Sequence, residues 1–323
     1  MENITLTGNT LNESIAALLV QENLGVLRHV SLLDGGGSSS HDNYLIEADI
    51  GKYVLRIVKE SGALNHTHLE SEYKILQLLK EYDVAPRAIA FDTDIFGKPV
   101  LLESYVEGDV ASSRVFPEEY ISVCLELLGK VSSVSITEND FSFVFRYPSY
   151  EVSFPVWKER IDVVRNVSPV LAERLDSIAE TAKIILIKND ALLKDIPQTF
   201  IYNDVHPGNI IFQTSEDKAV FIDWQKVSLG DPMFMVVLFG ERFASIFGME
   251  KEKFRNKVQE LWKQRVTIPH MDTLYAARAY ERAVSDLVWI AWATAKRGEK
   301  MSEHDEVLQM HMANVSYWES VNN

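Results

Sequence analysis

The sequence predicts an α+β fold in two parts, an antiparallel sheet followed by a mainly helical region. Three observations lead to this prediction. Short β-like runs separated by glycine turns recur in residues 1–107, helical periodicity recurs in residues 108–323, and the pattern changes near residues 107 and 108. A length of 323 residues also agrees with two domains, at about 150 residues per domain. We therefore expect domains at 1–107 and 108–323.

The N-terminal part begins with a short predicted helix, because Asn12 is a typical N-cap before an apolar run. Three β-like runs follow, at residues 26–33, 44–48 and 52–58. The first two are separated by a glycine-rich turn at 34–43. Helical spacing of apolar residues predicts one helix over 66–82, and two more β-like runs lie within 91–105. This order is typical of an antiparallel meander with one helix.

The C-terminal part is predicted to be helical apart from one β-rich insert at 198–227. Amphipathic spacing predicts helices at 117–134, 169–187, 233–247, 252–265, 272–297 and 303–319. Ser168 and Pro169 fit the N-cap and first position of the second of these helices. We interpret the aromatic cluster Tyr147, Tyr150, Phe154 and Trp157 as part of an irregular stretch.

Composition excludes several classes of protein. The 32 Lys and Arg against 47 Asp and Glu give a net charge of −15, which argues against binding to nucleic acid or to an anionic membrane. The single cysteine excludes an intrachain disulfide and a zinc site with two thiolates. The N-terminal residues lack the basic region of a signal peptide, and no apolar run is long enough for a membrane span. We therefore expect a cytoplasmic protein.

The β-rich insert carries the residues with the most informative chemistry. Asp204 follows an apolar strand, Asn209 comes five residues later, and Asp223 comes fourteen residues after Asn209. Phosphoryl transfer needs a carboxylate that orients the attacking hydroxyl and oxygen ligands that hold magnesium on the phosphates. These three residues supply one base and two metal ligands. Asp and Asn near Gly and Pro are also ordinary turn residues, which is the alternative interpretation of each residue taken alone.

The sequence YNDVHPGN at 202–209, together with IDW at 222–224, resembles the catalytic loop and metal-binding motif of the aminoglycoside phosphotransferase and choline kinase superfamily. The resemblance implies a two-lobed protein-kinase-like fold with an antiparallel-sheet N-lobe and a mainly helical C-lobe. It also implies that Asp204 is the catalytic base and that Asn209 and Asp223 bind Mg²⁺. His206 has mainly a structural role in that family.

The resemblance assigns further residues to the nucleotide. A glycine-rich turn would lie over the phosphates, namely Gly35, Gly36, Gly37 and Ser38, although a plain hairpin tip is an equal alternative. Arg56 stands where protein kinases have a phosphate-binding lysine, and Glu72 would pair with it, with Glu70 as the competing candidate. Backbone groups in the hinge, at Ser104 and Val106, would bind the nucleotide base.

Two positions depart from the family pattern. Tyr202 replaces the usual histidine of the loop, and we expect its ring to take over the packing. Met235 stands where the family often has an aspartate that anchors the catalytic loop, which puts the rigidity of that loop in question.

The acceptor site is expected in the helical part. Asp286 and Trp289 lie one helical turn apart and would suit a cationic acceptor through charge and cation–π attraction. The alternative is that they belong to core packing and that Arg282 pairs with Asp286. The aromatic cluster at 147–157 is a second candidate lining.

These observations predict a kinase that transfers the γ-phosphate of ATP, or of GTP, to a hydroxyl of a small molecule. An aminoglycoside, a choline-like amine, an amino sugar or a related alcohol would serve as acceptor. A nucleotide-binding pseudokinase without turnover is the first alternative. A protein kinase is the second, although no activation segment ending in Ala-Pro-Glu is present.

Overall fold

The structure is a computed structural model, and it describes residues 8–33, 41–59, 65–93, 95–137, 140, 145–146, 150–213, 215–299 and 305–322. The chain divides into two compact units. The first is Met1–Ser113 together with Gly208–Lys226, and the second is Arg114–Pro207 together with Val227–Asn323. The first unit is built on an antiparallel sheet and the second is mostly helical, which confirms the predicted two-lobed α+β fold.

The first unit contains a five-stranded antiparallel sheet in the order β1-β2-β3-β5-β4. Its strands are β1 (Leu27–Leu32), β2 (His41–Ala48), β3 (Gly51–Val58), β4 (Ala88–Asp92) and β5 (Val100–Ser104). Its helices are α1 (Gly8–Gln21) and α2 (Asn65–Leu78), and α2 continues as a 3₁₀ turn at Leu79–Glu81. Strands β1, β2, β3 and β5 and helix α2 overlap the predicted runs. Two predictions were wrong in their bounds: β4 begins at Ala88, before the predicted stretch at 91–105, and α1 begins at Gly8, so Asn12 lies inside the helix and does not cap it.

Alternation along β3 determines what lies on each face of this sheet. Leu55 and Ile57 point to one face and join Ile15 and Leu18 of α1 in a buried apolar cluster. Arg56 therefore points to the opposite face, where α2 packs. Its strand partners are Asn43 on β2 and Leu101 on β5.

A second, three-stranded sheet brings a distant segment into the first unit. Its strands are β6 (Asp109–Val110), β9 (Ile210–Gln213) and β10 (Lys218–Phe221), in the order β10-β9-β6. In addition, the Phe221 amide donates to the carbonyl of Val84 at 3.0 Å. The first unit therefore reaches past residue 107 to Ser113 and takes in Gly208–Lys226, which the sequence pattern assigned to the helical part. The pairing of β6 with β9 is the physical reason for this difference.

The second unit is mainly helical. Its helices are α3 (Glu119–Ser132), α4 (Tyr150–Arg165), α5 (Pro169–Lys188), α6 (Asp190–Lys194), α7 (Met233–Arg242), α8 (Lys251–Lys263), α9 (Met271–Lys296) and α10 (Glu306–Asn322). A small sheet in the order β7-β11-β8 completes it, formed by β7 (Phe145–Arg146), β8 (Thr199–Tyr202) and β11 (Val227–Gly230). The first eight residues of α7 are all buried, so this helix forms the centre of the unit. None of the helices described combines the length and the apolar composition that crossing a membrane requires.

Helix α4 corrects one prediction. The stretch taken as irregular is helical from Tyr150 to Arg165, with Pro155 inside the helix. Pro155 removes one main-chain hydrogen bond. Burial of Trp157, Ile161 and Val164, at helical spacing, opposes that loss. Tyr147 lies outside the described residues.

Candidate active site

Arg56 and Glu72, which the family resemblance assigned to the nucleotide site, form a buried ion pair in the first unit. Arg56 is 4% exposed and Glu72 is 0% exposed. The Arg56 guanidinium donates through Nη1 to Oε1 of Glu72. The same carboxylate oxygen accepts the backbone amide of Trp224 at 2.8 Å. Glu72 therefore ties β3 to the segment that follows β10, whereas Glu70 forms an exposed pair with Lys74.

Asp223 lies beside this pair. Its Oδ1 is 3.3 Å from Nη2 of Arg56, and its side chain is 37% exposed. Its backbone has a φ of +60°, a left-handed conformation that Asp tolerates better than most residues. The Arg56 guanidinium thus contacts Glu72, which is buried inside the unit, and Asp223, which is partly exposed at its surface.

Asn209 is placed next to Asp223 by the β9–β10 hairpin. Ile210 and Phe221 are the last paired residues at the open end of this hairpin. Just beyond them, the Ile222 amide donates to the carbonyl of Asn209 at 3.0 Å. Asn209 and Asp223 therefore both lie at the open end of the hairpin, and Asn209 is buried.

These residues suit a magnesium ion better than a transition metal. Among the residues that the structure describes, no group of three or more His, Cys, Asp and Glu side chains could hold a metal. Asn209 and Asp223 instead offer an amide oxygen and a carboxylate. Mg²⁺ typically binds one or two protein oxygens and completes its shell with water and phosphate. The donor set fits that ion.

Glu103 is a buried carboxyl that the sequence analysis missed. It lies on β5, two residues after Leu101, which is the strand partner of Arg56. Burial raises the pKa of Glu103 to about 8, and the nearby Arg56 opposes that rise. Burial also raises the pKa of Glu72, against the Arg56 cation. Burial disfavours the Arg56 cation, but Glu72, Asp223 and Glu103 together hold its pKa above the usual range.

The hinge residues follow directly after Glu103. The Ser104 hydroxyl accepts the Arg87 amide at 2.9 Å, and the Ser104 amide donates to the Arg87 carbonyl at 2.9 Å. Val106 follows the end of β5 by two residues. Ser104 thus fastens the end of β5 to the residue before β4.

The predicted phosphate loop, Gly35, Gly36, Gly37 and Ser38, lies outside the described residues. The next described residue, His41, is 1% exposed. Its Nδ1 lies 3.2 Å from Nε2 of Gln225, two residues after Asp223. The sequence analysis singled out neither His41 nor Gln225, because a histidine after a glycine turn and a glutamine after a tryptophan form no recognisable motif.

The second unit contains Asp204, which follows β8. The residue before it, Asn203, donates through Nδ2 to the Ser228 hydroxyl of β11 at 2.9 Å. The ring of Tyr202 is fully buried. The Tyr202 amide donates to the sulfur of Met235 at 3.2 Å, at the position where the related family often has an aspartate. Thioether sulfur is a weak acceptor, so this contact is weaker than one to a carboxylate.

The two predicted acceptor residues have different surroundings. Asp286 accepts from Arg282 through both carboxylate oxygens, with Nε to Oδ2 at 3.1 Å and a second contact from Nη2 to Oδ1. Trp289 is 50% exposed. Within the second aromatic candidate, Trp157 belongs to the packing, because it is 1% exposed and donates through Nε1 to the Ser285 hydroxyl at 3.0 Å.

Comparison with known proteins finds one curated relative and several solved structures with the same fold. LicA of Haemophilus influenzae is 22% identical over 277 residues, which cover 83% of this chain and 75% of that protein. The ADP-bound aminoglycoside phosphotransferase APH(2'')-Ib has the same fold, with a TM-score of 0.61 and 16% identity over 95% of this chain and 96% of that chain. An ethanolamine kinase of Plasmodium vivax has a TM-score of 0.63 and 12% identity, covering 97% of this chain and 89% of that chain.

The family model for the phosphotransferase enzyme family, APH, matches residues 31–255. This range contains all the residues assigned above to the nucleotide, the metal and the catalytic base. The chain therefore belongs to the APH phosphotransferase family and is a small-molecule kinase.

Proposed function

We propose that this kinase uses ATP and Mg²⁺ to phosphorylate a hydroxyl group of a small molecule. The observation that carries the proposal is the connection of Asn209, Asp223 and the buried Arg56–Glu72 pair within one unit. Asn209 and Asp223 lie at the open end of the β9–β10 hairpin. The Arg56 guanidinium, which Glu72 holds in place, contacts Asp223. This arrangement suits the binding of a nucleotide with its metal.

Each residue has one role in this proposal. Asp204 orients the acceptor hydroxyl and takes its proton. Asn209 and Asp223 hold Mg²⁺, which neutralises the charge that develops on the transferring phosphoryl group. Arg56 contributes a fixed positive charge toward the phosphates, and Glu72 keeps its guanidinium in place.

The acceptor is an alcohol of low molecular mass, such as an aminoglycoside, a choline-like amine or an amino sugar. Trp289 offers half of its surface to solvent on α9 and remains a predicted contact for the acceptor. We expect neither nucleic acid nor membrane among the partners. A cytoplasmic location stays a prediction.

A screen of MgATP consumption over aminoglycosides, choline, ethanolamine and amino sugars tests this function. The wild-type protein should release ADP in an acceptor-dependent manner, and Asp204→Ala should reduce the turnover by about 10² or more, because general-base catalysis contributes about that much. Asp190→Ala is the matched control. It removes another carboxylate of the same unit, one that forms a surface pair with Lys194 at 2.6 Å.

Three outcomes would change the proposal. Binding of MgATP without turnover on any acceptor would favour the pseudokinase alternative. Turnover with GTP in preference to ATP would correct the nucleotide. Equal turnover by Asp204→Ala and wild type would remove Asp204 from its role.

A further inference from the structure

A half-buried arginine of α7 fastens the segment that carries Asp204. Nη1 of Arg242 donates to the carbonyl of Val205, the next residue after Asp204, at 3.1 Å. Val205 is fully buried. A buried carbonyl needs a partner, so this bond fixes the backbone at the position that directs the Asp204 side chain.

Arg242 is itself held by α9. Its Nη2 lies 3.6 Å from Oδ1 of Asp286. Arg282 donates to the same carboxylate through Nε and Nη2. A continuous series of contacts therefore runs from Arg282 through Asp286 and Arg242 to the backbone beside Asp204.

The electrostatics agree with this placement. Burial and the neighbouring Arg282 lower the pKa of Arg242, whereas the carboxylates of Asp286 and Asp204 oppose that change. Arg242 thus lies within electrostatic reach of the proposed base while its two Nη groups face Val205 and Asp286.

A second contact joins α7 to the strand that leads into this loop. The backbone amide of Tyr202, at the end of β8, donates to the sulfur of Met235 at 3.2 Å. A guanidinium that donates to a carbonyl is a stronger and more directional contact than an amide on a thioether. The contact from Arg242 to Val205 is therefore stronger than the contact from Tyr202 to Met235.

We propose that Arg242 is a positioning residue that orients the catalytic loop, and that Asp286 acts through Arg242 rather than by binding the acceptor. The proposal rests on the assignment of Asp204 as the base. It differs from the sequence prediction for Asp286, which placed this carboxylate against a cationic acceptor. Two guanidinium groups already face that carboxylate, so an ammonium group would compete with both.

The test uses Arg242→Met, Arg242→Lys and Asp286→Asn in the full chain. The matched control is Arg265→Met, because Arg265 also donates to a backbone carbonyl, that of Ser122 at 3.2 Å. Amide hydrogen exchange of residues 200–210 is measured in each variant without any ligand. Steady-state kinetics then follow with MgATP and an acceptor from the screen.

Arg242→Met should exchange faster than wild type over 200–210 and lose about 10²-fold in kcat with little change in the acceptor KM, since small misplacements of a catalytic group cost about that much. Arg242→Lys should recover part of kcat, because lysine keeps the charge without the planar fork. Asp286→Asn should change kcat in the same direction, and Arg265→Met should change neither property.

Unchanged exchange in Arg242→Met would overturn the proposal, and this measurement does not depend on any activity. A rise in acceptor KM at constant kcat in Asp286→Asn would overturn the part that concerns Asp286 and restore it as an acceptor ligand. If the wild type shows no turnover at all, the proposed function fails, and the exchange measurement alone still decides whether Arg242 orients the loop.

Discussion

Replacing Glu72 by glutamine tests the electrostatic centre of the first unit. The substitution keeps the shape of the side chain and removes its charge. Arg56 then remains buried with Asp223, at 3.3 Å, as its hydrogen-bonded carboxylate. Breaking a buried ion pair on one side costs about 3–5 kcal/mol. Because Asp223 still faces the guanidinium, we expect the lower end, about 3 kcal/mol in the free energy of unfolding.

The matched control is Glu70→Gln, two residues earlier on the same helix. Glu70 pairs with Lys74 at 2.7 Å, and both side chains are about half exposed, at 50% and 48%. Exposed pairs at this helical spacing contribute about 0.3–0.5 kcal/mol. The two variants remove the same charge from one helix, so only burial and the partner differ.

Thermal unfolding of both variants provides the measurement. At about 2–4 °C per kcal/mol, Glu72→Gln should lower Tm by roughly 6–12 °C, and Glu70→Gln by about 1–2 °C. MgATP should raise Tm less in Glu72→Gln than in wild type, because the ion pair with Glu72 no longer fixes the position of the Arg56 guanidinium. Equal losses of Tm in the two variants would refute the reasoning, because the burial of Glu72 would then have no energetic effect.

Three further predictions follow from the same site and its neighbours. Asp223→Ala should abolish the part of the ATP-induced rise in Tm that depends on Mg²⁺, measured with and without the metal, and an unchanged increment would contradict its role as ligand. Glu103, whose pKa burial raises to about 8, favours the folded state when protonated, so stability should fall by at most about 1.4 kcal/mol per pH unit as pH rises from about 5 to 8. In chemical denaturation, Glu103→Gln should not show this fall in stability with rising pH. An equal pH dependence of stability in both proteins would exclude Glu103 as the cause of the fall. Trp289→Ala should raise the acceptor KM with little change in the KM for ATP, whereas a lower Tm at constant KM would show that its ring only packs.

The regular elements were predictable from the sequence because burial leaves a periodic signal. Helical spacing in α2 reflects which side of that helix is covered. Strand β3, whose last four residues are all buried, is instead recognisable as a short β-type run between turns. Helix α4 was missed because Pro155 interrupts the local pattern, and the tertiary contacts that offset it come from residues far along the chain. The pairing of β6 with β9 was missed for the same reason, since a two-residue strand has no period of its own.

The site was predictable only where its residues are close in sequence or carry a known pattern. Asp204, Asn209 and Asp223 lie within one stretch of twenty residues, at positions 204–223, and their chemical types are unusual together. Glu103, His41 and Arg242 had no such signal. Each acquires its surroundings from residues far away in sequence, as Arg242 does from Asp286, and one sequence alone does not encode which distant residues meet.

The aromatic residues of the helical unit bear on the class of the acceptor. The ring of Phe154 already lies 4.4 Å from Nζ of Lys183, and the ring of Trp292 lies 5.4 Å from the guanidinium carbon of Arg160. A cationic acceptor at either ring would have to displace a cation that is tethered to the same chain, which lowers the net gain from cation–π attraction. The Asp286 carboxylate likewise already contacts two cations, Arg242 and Arg282. Trp289, by contrast, is 50% exposed. We therefore expect a choline-like acceptor to depend on Trp289. The KM of Trp289→Ala for choline, compared with its KM for an amino sugar, tests this expectation.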